Sequence, residues 1–146
     1  MRKPILLAML AMAIVMPPPR SAAQDASKAI VTAAQVNGTW RSRKNEFKIL
    51  ALGKNQLKVE FEGTYEYVTG RGQMANTGDL SGTATIEGTV ATLKPPETDD
   101  GCTITLKFKA GKMEVSQEGE CGFGAGVSAG GSYRRVSARK PTFSPE

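Results

Sequence analysis

The sequence predicts an all-β chain, a single antiparallel up-and-down β-barrel of about eight strands, with a two-sheet β-sandwich as the alternative way of closing it. Three observations carry this. Apolar and polar residues alternate with period two over long stretches, turn residues recur between short runs, and at Asn37 the composition shifts to threonine, valine, glycine and alternating charge. Strands with one apolar face each cannot hide it in a flat sheet, so they must curl closed or stack.

The clearest strand covers 57–67. Leu57, Val59, Phe61, Tyr65 and Tyr67 share one parity, and Lys58, Glu60, Glu62 and Glu66 share the other, which assigns those glutamates to solvent. Gly63 falls on the inward parity and predicts a bulge or bend. A hairpin follows at 102–116: Cys102, Ile104, Leu106 and Phe108 alternate with Thr103, Thr105, Lys107 and Lys109. After the turn at Ala110-Gly111-Lys112, Met113 and Val115 resume the pattern. Shorter strands are predicted at 39–43, 47–52, 82–87, 89–94 and 132–137. Turn signals separate them at Gly53-Lys54-Asn55, Glu87-Gly88, Pro95-Pro96 and Asp99-Asp100-Gly101. Neighbours in sequence read as hairpin partners throughout, which makes the meander the simplest topology.

Residues 1–23 read as an export signal. Arg2 and Lys3 precede an apolar run from Ile5 to Met16, Pro17-Pro18-Pro19 break it, and Ser21-Ala22-Ala23 sets small residues before a cut. Twelve residues of helix reach about 18 Å against a hydrocarbon core of about 30 Å, so the run is too short to span. The first cysteine is Cys102, so no lipid-anchor cysteine follows the run and no stable membrane anchor is expected. Residues 24–36 are a polar, alanine-rich linker with room for one helical turn, 37–138 form the barrel domain, and 139–146 are expected to be a disordered tail. The expected location is periplasmic or secreted.

The whole chain of 146 residues has a formal charge of +5 and a pI near 9.4. Without Arg2, Lys3 and Arg20 the 19 basic residues fall to 16 against the same 14 acids, a net charge of +2. The only tight basic cluster is Arg41, Arg43 and Lys44, which reads as a solvated edge, and no nucleic-acid partner is expected. Two cysteines in an exported chain pair, and a Cys102–Cys121 bridge would contribute about 3 kcal/mol.

The chemistry-bearing residues argue against conventional catalysis. With no histidine and only two cysteines there is no metal-ligand set, and hydroxyl nucleophiles lack their usual base. Gly124, Gly126 and Ala129 match a dinucleotide fingerprint by spacing, but no strand-turn-helix unit surrounds them, so the stretch reads as a tight disulfide-tethered loop. Asp99 and Asp100 lack a calcium-loop pattern and read as a turn. No cofactor, no metal and no catalytic residue is expected. Trp40, in the first strand, and the arginines after Tyr133 in the last strand, Arg134 and Arg135, can stack to close the barrel floor.

Gly38-Thr39-Trp40 resembles the first-strand Gly-x-Trp of the calycins, up-and-down barrels that hold ligands in the mouth. In the C-terminal half Cys102, the 115–117 stretch, Cys121-Gly122-Phe123-Gly124 and Gly131-Ser132-Tyr133-Arg134 resemble a pattern in small exported bacterial proteins of unassigned function. Size, export and a single disulfide are also similar to periplasmic lysozyme inhibitors, whose Ser-Gly-x-x-Tyr loop enters the lysozyme cleft. Here the corresponding run, Ala129-Gly130-Gly131-Ser132-Tyr133, has alanine in place of that serine, which removes the hydroxyl expected to bond a catalytic carboxylate.

Three functional expectations follow. The first is an exported non-enzymatic binding module acting on a protein partner of the cell envelope, in its sharpest form a lysozyme-like muramidase. Its binding loop would hold Gly122, Phe123, Gly124, Gly130, Ser132 and Tyr133. The second is a barrel for a small apolar ligand, with Phe61, Tyr65 and Tyr67 as interior contacts. The third is a structural envelope protein with a filled barrel. A solid interior argues against the second; a pocket of a few hundred cubic ångströms argues for it.

Overall fold

The computed structural model describes residues 31–96 and 101–145. The export segment, the first part of the linker and Asp99-Asp100 lie outside the described residues. Eight strands follow one four-residue helix, α1 (Ala33–Val36): β1 (Gly38–Ser42), β2 (Asn45–Gly53), β3 (Gln56–Thr69), β4 (Gly72–Glu87), β5 (Val90–Leu93), β6 (Thr103–Lys109), β7 (Lys112–Glu118) and β8 (Gly131–Ser137). Each pairs antiparallel with the next, and β8 pairs with β1, so the sheet closes into an up-and-down barrel rather than a sandwich.

Alternation builds the core. Phe47 and Ile49 of β2 stand opposite Phe61 and Val59 of β3, and Leu57 stands opposite Ala84 of β4, all inward and buried. Ile104 and Leu106 of β6, Met113 of β7 and Tyr133 of β8 complete the ring. The hairpin turns follow their residues: Lys54 and Asn55 between β2 and β3, and Ala110 and Gly111 between β6 and β7, all have positive φ, the pattern of a type I′ turn.

The two ends are closed differently. At the end carrying α1, which we call the floor, the Trp40 indole N–H donates to the Val36 carbonyl (2.9 Å), Phe108 meets the ring edge to face, and the Arg135 guanidinium lies over it at 5.8 Å. Arg135 also donates to the Ala34 carbonyl, so the expected tryptophan–arginine closure is present and extends to the helix. At the opposite end, which we call the mouth, β3 and β4 outrun their neighbours. Their hairpin continues in register from Gly63↔Gly78 to Thr69↔Gly72 as a two-stranded arm beyond the barrel wall.

Several expectations are corrected here. The strand expected at 82–87 begins ten residues earlier, at Gly72, because β3 templates a partner that has no alternation of its own. Gly63 makes no bulge: the β3–β4 register passes through it unbroken, and the irregularities fall between Thr39 and Trp40 and between Ala51 and Gly53. Glu60, expected in solvent, is buried. Residues 139–145, expected as a disordered tail, cross the outer face of β3, where the Ser144 amide donates to Glu60 (2.8 Å) and Phe143 lies beneath the Lys58 ammonium.

Candidate functional site

The mouth is closed by the segment between β7 and β8, residues 119–130, anchored at its start by the disulfide. Cys102 and Cys121 are joined with their Cα atoms 4.9 Å apart, and Gly101 bridges Glu120 beside them. From there Phe123 turns into the barrel. Its ring packs against Phe61 at 5.1 Å and lies where a side chain at Gly78 would project, since a Cβ there would come within 2.8 Å of it. Phe61 in turn folds over Gly63, whose Cβ would sit 2.6 Å from the ring. The facing glycines of β3 and β4 therefore hold two aromatic rings, which explains Gly63 better than a bulge does.

The rest of the lid is fastened through its backbone. The Gly124 amide donates to the Thr77 carbonyl (3.0 Å), the Asn76 side chain donates to the Ala125 carbonyl (2.6 Å), and Gly126 lies flat against the Tyr65 ring. A Cβ on Gly124 would stand 2.8 Å from the Thr77 oxygen, and one on Gly126 would stand 2.5 Å from the Tyr65 ring, so both positions need glycine. At the far end of the lid, Gln117 accepts from the Ala129 amide and the Ser128 hydroxyl. Asn45 donates to the Ser128 carbonyl and to the Tyr133 oxygen, while the Tyr133 hydroxyl donates to the Ala129 carbonyl (2.8 Å).

This geometry sorts the expected site residues. Tyr133 is fully buried, and burial pushes its phenol up to about 12, against a weaker opposing effect of the Asn45 hydrogen bond. Ala129 is buried as well, so neither end of the run that resembles the inhibitor loop is presented outward. Phe123 is a plug and Gly124 a backbone fastener; Gly122, Gly130 and Ser132 are exposed, with the Ser132 hydroxyl donating to Glu114. Of the expected interior contacts only Phe61 is inside. Tyr65, 47% exposed, and Tyr67 keep the inward parity but lie on the arm past the barrel wall, stacked on one another at 6.2 Å.

The barrel interior is filled. Trp40, Phe47, Phe61, Leu106, Met113 and Tyr133 are all inaccessible, and a recess reaching Trp40 and Phe108 holds only about 40 Å³. The large space lies outside. A groove of about 590 Å³ runs between the β1–β2 turn, the base of the arm and the lid, lined on these three sides by Arg43 and Asn45, by Thr64 and Tyr65, and by Ser128 and Ser132.

Electrostatics at its rim is nearly balanced. Arg41 bonds Glu46 directly across the β1–β2 pair (2.5 Å), and Lys44 bonds Glu66, holding that carboxyl below the usual range. Arg43, at the tip of the turn with φ 52°, has no ionic partner among the described residues. In sequence these three basic side chains form one group, a solvated edge. What separates them is the acid that each turn and arm position brings within reach, a tertiary fact with no local signal.

Among the described residues no group of three or more histidine, cysteine, aspartate or glutamate side chains is arranged to hold a metal ion, and no helix is long and apolar enough to cross a membrane. No family model, no curated protein and no solved structure matches the chain.

Proposed function

We propose that the chain is an exported, non-catalytic binding module of the cell envelope that engages its target at the barrel mouth, through the groove and the lid, and not in the interior. The observation that carries this reading is the contrast between a filled core and a preformed, rigidly fastened surface groove. A cleft of several hundred cubic ångströms with convergent polar groups is the usual form of a recognition site. A lid held by a disulfide and five hydrogen bonds to its backbone spends little entropy on binding. The disulfide also suits an oxidising compartment outside the cytoplasm.

The filled core argues against a small apolar ligand beside the core rings. The muramidase-inhibitor form loses Ala129 and Tyr133 to the core, and any such activity would have to come from the exposed rim. The structural-envelope reading shares the filled barrel, but it gives no role to a groove of about 590 Å³ beside the fastened lid.

Capture from envelope extract tests the proposal, comparing the immobilised protein with a Ser132→Trp variant that fills the groove from its edge. Retention of the same envelope component by the native protein and its loss with the variant is the expected result. Equal retention by both, or by neither, would refute a mouth-directed module. Turbidity assays of cell-wall lysis by several muramidases, with micromolar protein added, check the inhibitor form separately.

A further inference from the structure

We infer that the arm formed by β3 and β4 joins two copies of this chain, edge to edge along β4, about a two-fold axis at Met74.

The backbone supplies the first reason. The Thr77 carbonyl accepts from the Gly124 amide of the lid, so at Thr77 the peptide groups turn away from β3. Their direction alternates along a strand, so Gln73 and Ala75 also turn their N–H and C=O outward. β5 pairs only with residues 84–87 of β4, and among the described residues nothing hydrogen-bonds the outward groups of Gln73 and Ala75. A bare edge of this kind is a template for another strand.

Proteins normally guard such an edge with charge, proline or a bulge. Here all three are missing: residues 72–78 include no charged side chain and no proline, and their register with β3 is unbroken. The arm's other edge, on β3, is guarded by Glu66 and the Lys44 ammonium bonded to it.

The lid fixes the register. With the Thr77 carbonyl taken, two outward residues remain, and one antiparallel pairing uses both: Gln73 opposite the partner's Ala75, and Ala75 opposite the partner's Gln73. This gives four backbone hydrogen bonds and brings Met74, 49% exposed, against the partner's Met74 at the axis. Tyr67 stands opposite Met74 within each arm, so Tyr67 and Met74 of both copies form one row across the joined sheet. An antiparallel edge pairing is its own complement under a two-fold axis, so a second copy fits without further matching. Four residues separate Met74 from Gly78, where the wall ends, so about 13 Å of arm keeps each barrel clear of the axis.

The test is sedimentation velocity on the protein, disulfide intact, from about 1 µM to 1 mM, the range of a transient contact smaller than about 1,200 Å². A reversible monomer–dimer equilibrium is the expected result, with the amides of Gln73 and Ala75 shifting in NMR spectra as concentration rises. Ala75→Pro removes an N–H that no described strand uses, so it should leave the monomer folded and weaken the dimer by about tenfold. Met74→Lys sets two like charges at the axis and should do the same. Val68→Ser, on the guarded edge, should leave the dimer unchanged. Two copies of Met74→Cys should cross-link under mild oxidation, since facing residues at a non-hydrogen-bonded position lie about 4.5 Å apart. A monomer over the whole range, a dimer that neither Ala75→Pro nor Met74→Lys weakens, or one that Val68→Ser abolishes would each overturn the inference. Groove-dependent capture from envelope extract is a separate result, so either reading can fail alone.

Discussion

The floor and the mouth close the same barrel by opposite means. At the floor, large side chains do the sealing: Trp40 fills the space under α1, Phe108 meets its edge and Arg135 covers it. At the mouth much of the sealing is main chain, with Gly124 and Gly126 pressed onto the arm while Phe123, Val127 and Ala129 pack inward. A side-chain seal leaves a compact end with a recess of about 40 Å³; a backbone seal leaves polar amides and hydroxyls around a groove of about 590 Å³. Recognition chemistry belongs at the second kind of end, because its donors and acceptors are already fixed and still reach solvent.

The largest test of this contrast is Trp40→Ala. Removing a fully buried indole that three elements pack on should cost about 3–5 kcal/mol, read from urea midpoints. The loss should be global, with hydrogen exchange accelerated in every strand. A drop under about 1 kcal/mol would show that the floor is not held by this ring.

Opening the mouth should look different. The double variant Cys102→Ser, Cys121→Ser releases a 19-residue span and should cost about 3 kcal/mol. Below the unfolding transition its effect should be local: amides at 122–130 lose protection while β2 and β3 keep theirs. Equal loss in the lid and in β2 would mean that the mouth and the body unfold as one unit, and the contrast between the ends would fail.

The two ends are also unequally legible in the amino-acid sequence. Period two alone locates β3, β6 and β7, since β6 and β7 bury one face and expose the other along their length and β3 does so as far as Gly63, Glu60 apart. The floor can be anticipated as well, because a tryptophan on the first strand and arginines on the last have few other ways to meet in a closed meander. The mouth cannot. Residues 72–81 carry no alternation and are strand only because β3 runs opposite them.

Gly63 and Gly78 look like interruptions in sequence, yet they are where Phe61 and Phe123 lie down. Tyr133 reads as exposed beside its arginines and proves to be core, because the register with Met113 turns it inward. Tyr65 and Tyr67 keep the right parity and miss the interior only because β3 is longer than the wall it belongs to. In each case the missing information is a long-range contact, which no local pattern encodes.

Tyr133 ties the mouth to the core, and its ionisation gives a pH test of that link. Its phenol is raised from 10.0 to about 12 by burial, so above pH 10 the unfolded chain gives up this proton while the folded one keeps it. Stability then falls as pH rises from 10.0 to about 12, by about 2–3 kcal/mol across the window, and is unaffected by this group below it. Tyr133→Phe should cost about 1 kcal/mol near neutrality, through the lost bond to Ala129, and should lack the alkaline decline. Parallel slopes for the two proteins over that window would mean that the phenol is not held neutral by the core.

The smallest effect concerns neither end but the outer wall, where residues 139–145 cross β3. Burial works against the charge on Glu60, yet the Lys48 hydrogen bond, the Ser144 amide and the Lys48 charge together outweigh it and hold the carboxyl below its ordinary range. Lys48 is raised in turn, chiefly by its bond to Glu60. A depressed carboxyl stabilises the fold above its unfolded pKa of 4.5, and that contribution disappears as pH falls through the lower folded value. Glu60→Gln should therefore lower stability by about 1 kcal/mol at neutral pH, and the gap from the native protein should close in acid, as pH falls through the lowered folded value. The same variant should expose 139–145 to limited proteolysis while the arm and lid keep their cleavage pattern. A gap that persists in acid would place the role of Glu60 in packing, because its charge would then contribute nothing to holding the segment down.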